Sequence, residues 1–297
     1  MLNDDARIAF GTDMGLLAPT ALALDSALRT TAISQIEILG VSLTANAESI
    51  LRRVAENREV PIRFHAINES AFAGVGAKGS HVPNAALARL YLPQLVDGRV
   101  LYIDGDTLVR RDVGDAFRMS MNGHCIAGVR DFSTLKKEVK FQSGRSWVDR
   151  ARVGDIVAPL PVESYINSGV LLIDCGAIRR ERGLAEAMLD FEYADRYPLV
   201  DQDYINELFK GRILHLNPSW NASWGRQKQQ VSWTRELGYS GDEVKREPAR
   251  IVHYHGAEKP WRKLPRNRWK RSFSGVLAYR IALRNFQKRF PEVSFDR

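Results

Sequence analysis

Cysteine is scarce in this chain: Cys125 and Cys175 are the two present in 297 residues. Both adjoin apolar segments, so no disulfide framework is expected, and buried reduced thiols are. Long apolar runs are missing as well, and none approaches the roughly 18 residues that a bilayer crossing needs. The start, Met1 to Asp5, is acidic and lacks the basic and apolar regions of a secretory signal. These absences together imply a cytoplasmic protein. What remains is ordinary for a globular chain, with 44% apolar and 26% charged residues and enough length for one large core.

A net positive charge is absent from most of the chain and concentrated at its end. From Lys259 to Arg297 there are 12 Lys/Arg against 2 Asp/Glu, while the preceding residues carry 31 against 33. The body therefore offers no basic face to nucleic acid. The tail is built to meet something anionic. We divide the chain accordingly into a body, 1–258, and a basic, aromatic tail, 259–297.

Strand and helix patterns alternate through the first part. Arg7 to Asp13 reads as a strand breaking at Gly11. Pro19 and Thr20 open a helix that runs to about Leu28. Gln35 to Val41 is a second strand. Thr44 caps a helix with Ile50, Leu51 and Val54 inward, and Val60 to Ile67 is a third strand. This order predicts an α/β fold, a parallel sheet with helices on both faces. After Gly74, Gly76, Gly79 and Pro83, a helix over Ala85–Tyr91 is ended by Pro93. Ile126 to Val129 is another buried strand. Phe132 to Pro161 reads as a charged loop over the site, and Gly183 to Arg196 as one helix.

The most informative stretch is Val100-Leu101-Tyr102-Ile103-Asp104-Gly105-Asp106. An apolar run suited to a fully buried strand ends in two carboxylates. Ligands of open α/β sheets bind beyond the carboxyl ends of the strands. In extended geometry Asp104 and Asp106 face one side, and Gly105 lets backbone approach a ligand. Two carboxylates so close stay ionised together beside a cation, and a hard divalent ion, Mn²⁺ or Mg²⁺, suits them. A solvated Asp-Gly-Asp turn is the plain alternative.

Other candidates lie along the chain. Asp13 ends the first strand and either accepts a hydrogen bond from a base or caps a turn. Arg89 is either a surface arginine or a clamp for phosphate or sugar. Asn167-Ser168-Gly169 reads as a turn feeding the strand Val170–Asp174, and the Asn167 amide suits sugar hydroxyls. Asp201 reads as a helix N-cap, with Gln202 and Asp203 at the helix start. His253 lies on a late strand and offers an imidazole to a metal, with His255 facing the same way. Gly256 and Lys259 offer a backbone N–H and an ammonium to phosphate.

The order of these motifs resembles glycosyltransferase family eight, the glycogenin-like proteins and bacterial lipopolysaccharide galactosyl- and glucosyltransferases. The resemblance runs over about residues 7 to 261. Asp104-Gly105-Asp106 looks like the family's aspartate-x-aspartate motif. Asn167 to Leu172 looks like its asparagine-alanine/serine-glycine-valine segment, Asp201-Gln202-Asp203 like its aspartate-glutamine-aspartate, and His253 to Trp261 like its closing histidine to tryptophan segment. The resemblance implies a single Rossmann-like nucleotide-sugar-binding domain of GT-A type around a mostly parallel mixed sheet, and a retaining transferase that moves galactose or glucose from a UDP-hexose to a saccharide or lipid-linked saccharide, such as a lipopolysaccharide core. It implies that Asp104, Asp106 and His253 bind Mn²⁺, that Gly256 and Lys259 hold the diphosphate and that Asp13 reads the uracil. Arg89, Asp104, Asn167, Asp201 and Gln202 would contact the donor sugar. Gly15 and Leu16 stand where the family has an asparagine and an aromatic, which removes a stacking surface for the base. His255 stands where one relative has cysteine. A metal-dependent nucleotide-sugar hydrolase or nucleotidyltransferase is the rival reading, since the same carboxylates can activate water. A silent sugar-binding module is a third.

In the tail, Val276, Tyr279, Leu283, Phe286 and Phe290 recur at helical spacing, with Arg280, Arg284 and Lys288 on the other side. Two readings follow. The helix docks peripherally on an anionic membrane, or it packs on the body with its basic face in water.

Overall fold

The computed structural model describes residues 6–75 and 84–295. Met1–Asp5 and the punctuating Gly76, Gly79 and Pro83 lie outside the described residues. Ten strands are described: β1 Arg7–Thr12, β2 Gln35–Val41, β3 Ile62–Ile67, β4 Arg99–Ile103, β5 Thr107–Val109, β6 Ile126–Arg130, β7 Ile166–Asp174, β8 Ile213–His215, β9 Ala222–Ser223 and β10 Ile251–His253. Seven form one sheet in the order β3-β2-β1-β4-β7-β6-β8, and β5-β10-β9 form a second. The strands from β3 to β4 run parallel, and β7 lies antiparallel between β4 and β6.

Alternation builds both faces. Ile8, Phe10, Leu101 and Ile103 enter one core, while Ala9, Val100 and Tyr102 enter the other. Helices α1, Leu17–Thr30, and α2, Ala45–Glu56, cover the first face with Leu22 and Leu51. Thr44 caps α2 by accepting from the Ala47 N–H at 3.2 Å. Leu87 and Leu90 help cover the second face, joined there by Tyr204 and Ile205 of the helix Val200–Leu208. The fold is the expected mixed α/β architecture.

Several elements differ from their sequence reading. Pro19 sits inside the first turn of α1, where its missing N–H costs nothing. Pro93 likewise falls in the first turn of a further short helix, Leu92–Leu95, and does not close the preceding one. Residues 132–161 are not a loop. Asp131 accepts from the Thr134 N–H at 2.8 Å and starts the helix Phe132–Gln142, and a second helix spans Arg150–Val157. Gly183–Arg196 is two short helices, the second capped by Asp190. Asn167-Ser168-Gly169 lies within β7, opposite a register shift between Gly128 and Val129.

The C-terminal helix Arg266–Arg289 packs on the same face as α1. Val276, Tyr279, Phe286 and Phe290 are buried there, with Leu283 against them. Arg289 makes a two-pronged pair with Asp25 of α1, both contacts at 2.6 Å. The Tyr254 hydroxyl donates to the Gly275 carbonyl at 2.7 Å. The predicted stripe is thus consumed by the core.

Candidate active site

The site forms where the two sheets meet. Asp104 leaves β4, and its N–H donates to the Gly169 carbonyl of β7 at 2.8 Å. The chain turns through Gly105 and Asp106 and enters β5, which pairs antiparallel with β10 so that Thr107 lies opposite His253. That register carries a histidine from near the chain's end to the acid pair. Ligand atoms of Asp104, Asp106 and His253 all lie within 4.8 Å of one another. His253 Nε2 is 3.1 Å from Asp106 and 3.7 Å from Asp104.

Two glycines make room. A Cβ on Gly169 would stand 2.1 Å from His253 Cε1 and 2.7 Å from Asp104 Oδ2, so only glycine fits beneath the cluster. A Cβ on Gly105 would stand 2.2 Å from Thr20 Oγ1. Gly105 therefore serves the packing of the turn on α1, and the sequence reading of ligand approach is corrected.

Arg89 is no surface arginine, being 2% exposed. Its guanidinium donates to Asp104 Oδ1 at 2.8 Å and to the Ser168 carbonyl, and its Nε lies 3.3 Å from Asp201 Oδ2. The Tyr102 hydroxyl donates to Asp104 Oδ1 at 2.9 Å. Burial raises the Asp104 carboxyl above its ordinary range, although Arg89 and His253 oppose that rise. Asp106 shows the opposite balance. Burial would raise it, but His253 and Lys259 hold it well below the usual carboxylate range, the Lys259 ammonium donating at 2.6 Å. Burial also raises Asp201, against Arg89.

Beside the cluster runs an amide chain. Gln202 Oε1 accepts from Asn167 Nδ2 at 2.9 Å and from the Ser168 N–H at 3.2 Å. Its Nε2 donates to the Tyr165 hydroxyl at 3.1 Å. Asn167 Oδ1 accepts from Asn221 at 2.8 Å, and Asn221 Oδ1 lies 3.1 Å from His253 Nδ1. That last contact holds a proton on Nδ1 and turns Nε2 toward the carboxylates. Asp201 is not the N-cap of its helix. It lies in the first turn after Leu199, and its carboxylate accepts from Ser168 Oγ at 3.1 Å.

The remaining candidates are less gathered. β1 runs beside β4 with Ala9 opposite Tyr102, so Asp13 leaves the sheet at the same end as Asp104. Its carboxylate accepts from the Leu16 N–H at 2.9 Å, which is the turn role. Gly256 has φ +92° and open space around it, a conformation that favours glycine. His255 lies off the strand, with its ring centroid 5.2 Å from that of His253 and Nε2 2.8 Å from Ser223 Oγ. Sequence reasoning missed Tyr102, Ser168, Gly169 and Asn221 as parts of the site. Asn221 had a faint signal, an asparagine directly after Pro218-Ser219-Trp220 and before a short strand.

The donor set, two carboxylates and one imidazole nitrogen, fits a divalent ion such as Mn²⁺ or Mg²⁺. Close packing over Gly169 and support from Arg89, Tyr102 and Asn221 fix those ligands in place.

Known proteins resemble the chain over most of its length. General stress protein A of Bacillus subtilis is 26% identical over 231 residues, covering 74% of this chain and 73% of that protein. The lipopolysaccharide 1,2-glucosyltransferase of Escherichia coli is 26% identical over 243 residues, 79% of this chain and 64% of that one. In three dimensions, the galactosyltransferase LgtC, solved with donor and acceptor sugar analogues, superposes with a TM-score of 0.67 at 22% identity, covering 92% of this chain and 95% of that one. That likeness shows the GT-A fold. The description of glycosyl transferase family 8 matches residues 7–264, and the chain, a transferase, belongs to that family.

Proposed function

We propose that the protein transfers a hexose, galactose or glucose, from a UDP-hexose to a saccharide or lipid-linked saccharide acceptor with retention of configuration. The observation that carries the reading is the convergence of Asp104, Asp106 and His253 within 4.8 Å, with Lys259 on Asp106. Family membership and the glucosyltransferase among its relatives support the class of reaction, and that relative also supports a lipopolysaccharide acceptor.

A divalent ion held by Asp104, Asp106 and His253 would neutralise charge on the diphosphate as it departs. Lys259 adds an ammonium for the same charge, and the open backbone at Gly256 an N–H. Asp13, which leaves the sheet at the same end as Asp104, is assigned to the uracil. Arg89 sits between Asp104 and Asp201, favours their ionised forms against burial, and would orient them toward the donor sugar. Asn167 and Gln202 offer amide groups to its hydroxyls. Gln202 is held at both ends and is a neutral amide, hence a poor nucleophile. The acceptor hydroxyl is accordingly assigned to the face from which UDP leaves, with oxygens of the site steadying the electron-poor sugar carbon.

The protein is further proposed to work in the cytoplasm against an anionic membrane. Phe273, Leu277 and Ile281, one per turn on the outward side of the C-terminal helix, are 59%, 42% and 54% exposed, next to Lys270, Arg271 and Arg284. No described helix is long and apolar enough to cross a membrane.

The test is a screen of UDP-sugars with Mn²⁺, scoring UDP release with and without saccharide acceptors. Release that requires an acceptor and is lost in Asp104→Asn supports the reading. Acceptor-independent release of free hexose at full rate favours the hydrolase, and full transfer by Asp104→Asn overturns the assigned site.

A further inference from the structure

The helices Phe132–Gln142 and Gln227–Glu236 pack side by side, with the Phe132 and Trp233 ring centroids 5.0 Å apart. Between them and the start of the C-terminal helix opens a cavity of ≈ 320 Å³, lined by Phe132, Lys136, Lys140, Arg226, Trp233 and Arg271 among others. Four of these are cations. Neighbouring Lys137 and Arg268 each have a carboxylate, Asp149 and Glu258. Among the described residues, none is paired with Lys136, Lys140, Arg226 or Arg271. Glu138, on the same helix, is taken by Arg150 at 2.9 Å.

The charges in the cavity feel one another without relief. Burial, then Arg268 and Arg271, lowers the Arg226 guanidinium to about 10. Burial, then Lys140, Arg226, Arg271 and Arg268, lowers Lys136. Cations brought together in this way destabilise the fold unless an anion joins them.

The cavity adjoins the active site by two routes. Arg226 donates to Ser223 Oγ at 3.1 Å, Ser223 Oγ lies 2.8 Å from His255 Nε2, and His255 packs edge-on to His253. On the other wall, Asp131, which starts the helix Phe132–Gln142, lies against Asn167. Lys259, the cation assigned to the donor diphosphate, is not part of the lining.

We propose that this cavity receives a phosphate or carboxylate group of the acceptor, so that the acceptor is an acidic saccharide and not a neutral one. This rests on the transferase reading above. Arg226, Arg271, Lys136 and Lys140 supply donors for the anion, and Phe132 and Trp233 an apolar wall for the sugar ring that bears it.

The test is calorimetric titration of the full chain with a hexose phosphate, a uronic acid and the neutral hexose. Each is titrated with and without saturating UDP and Mn²⁺, in wild type and in Lys136→Gln/Lys140→Gln. The acidic sugars should bind at least about tenfold more tightly than the neutral one, and the variant should lose that preference while still binding UDP. Equal binding of all three sugars overturns the proposal, as does a preference that survives in the variant. Loss of anionic-vesicle pelleting in the variant, without any sugar preference in wild type, assigns the cations to lipid headgroups and also overturns it. UDP binding in the same titrations reports separately on the transferase reading.

Discussion

Lys259 reaches back 153 residues to donate to Asp106 at 2.6 Å, and with His253 it holds that carboxylate ionised. The ammonium thus has two uses. It balances Asp106 at rest, and it stands ready for the charge that leaves with the diphosphate. Lys259→Met should lower kcat by about 100- to 1,000-fold, the usual cost of removing one preorganised donor. Mn²⁺ binding, followed by electron paramagnetic resonance, should not weaken, because a cation has been taken away from the site. Weakened Mn²⁺ binding with unchanged kcat would mean that Lys259 only organises the ligands.

Arg89 is the buried cation between Asp104 and Asp201. Arg89→Met leaves two carboxylates buried without their partner, and such broken pairs cost about 3–5 kcal/mol. Asp104→Asn leaves Arg89 with Asp201 and should cost about 1 kcal/mol. Urea unfolding should rank the two variants in that order, with both inactive in transfer. A smaller loss for Arg89→Met than for Asp104→Asn would show that Arg89 is not the charge that supports the acid pair.

Gly169 lies under the His253 ring, with no room for a methyl group. Gly169→Ala must push His253 off the acids or displace β7. Activity should fall by at least about 100-fold, as small misplacements of reacting groups do. Circular dichroism should stay native, and the Mn²⁺ dissociation constant should rise. An active Gly169→Ala enzyme would show that His253 does not need its present position.

The central strands were legible because burial on both faces makes them apolar, as in Val100 to Ile103, and because turns and caps punctuate the chain, as Thr44 does for α2, whereas β5 and β9 are too short to show a pattern. The helix Phe132–Gln142 was not, since half its buried side is polar: Thr134 and Glu138 lie beside Phe132 and Leu135. Charge within the stripe hid the period. In the site, Asp104 and Asp106 were legible as neighbours in sequence, whereas the bridge from Asn167 through Asn221 to His253 exists only by tertiary folding. Arg89 could not be placed either. A lone arginine on an apolar helix reads alike whether it snorkels or is buried against two acids.

His215 ends β8 with its Nε2 2.8 Å from the Ser164 carbonyl, and burial lowers its ring to about 4. An ordinary histidine in the unfolded chain titrates near 6.5. Between those values the unfolded chain binds the proton and the native one does not. The contribution is therefore complete above pH 6.5 and is lost as pH falls through 4. Partial solvent access of the ring limits it to about 2 kcal/mol. His215→Gln should flatten the fall in urea midpoint across that window and leave the midpoint above it less changed. An identical pH profile in the variant would assign the acid sensitivity to other groups.

The C-terminal helix spends its main apolar stripe on the core, so membrane attachment must use what is left. Phe273, Leu277 and Ile281 are spaced at four residues, present one outward line and carry basic neighbours. Burying three such side chains at the level of the headgroups stabilises binding by several kcal/mol at about 25 cal/mol per Å², with basic residues near the surface adding about 1 kcal/mol each. Deleting the tail is a poor test, because Val276, Tyr279 and Phe286 would leave a hole over α1. The informative variant is Phe273→Ser/Leu277→Ser/Ile281→Ser, which touches only exposed positions. It should keep its thermal midpoint and its transfer to soluble acceptors, and lose pelleting with vesicles containing anionic lipid. Raising salt should release the wild type in the same assay. Undiminished pelleting of the triple variant would leave the outward line without a membrane role and place any attachment elsewhere in the chain.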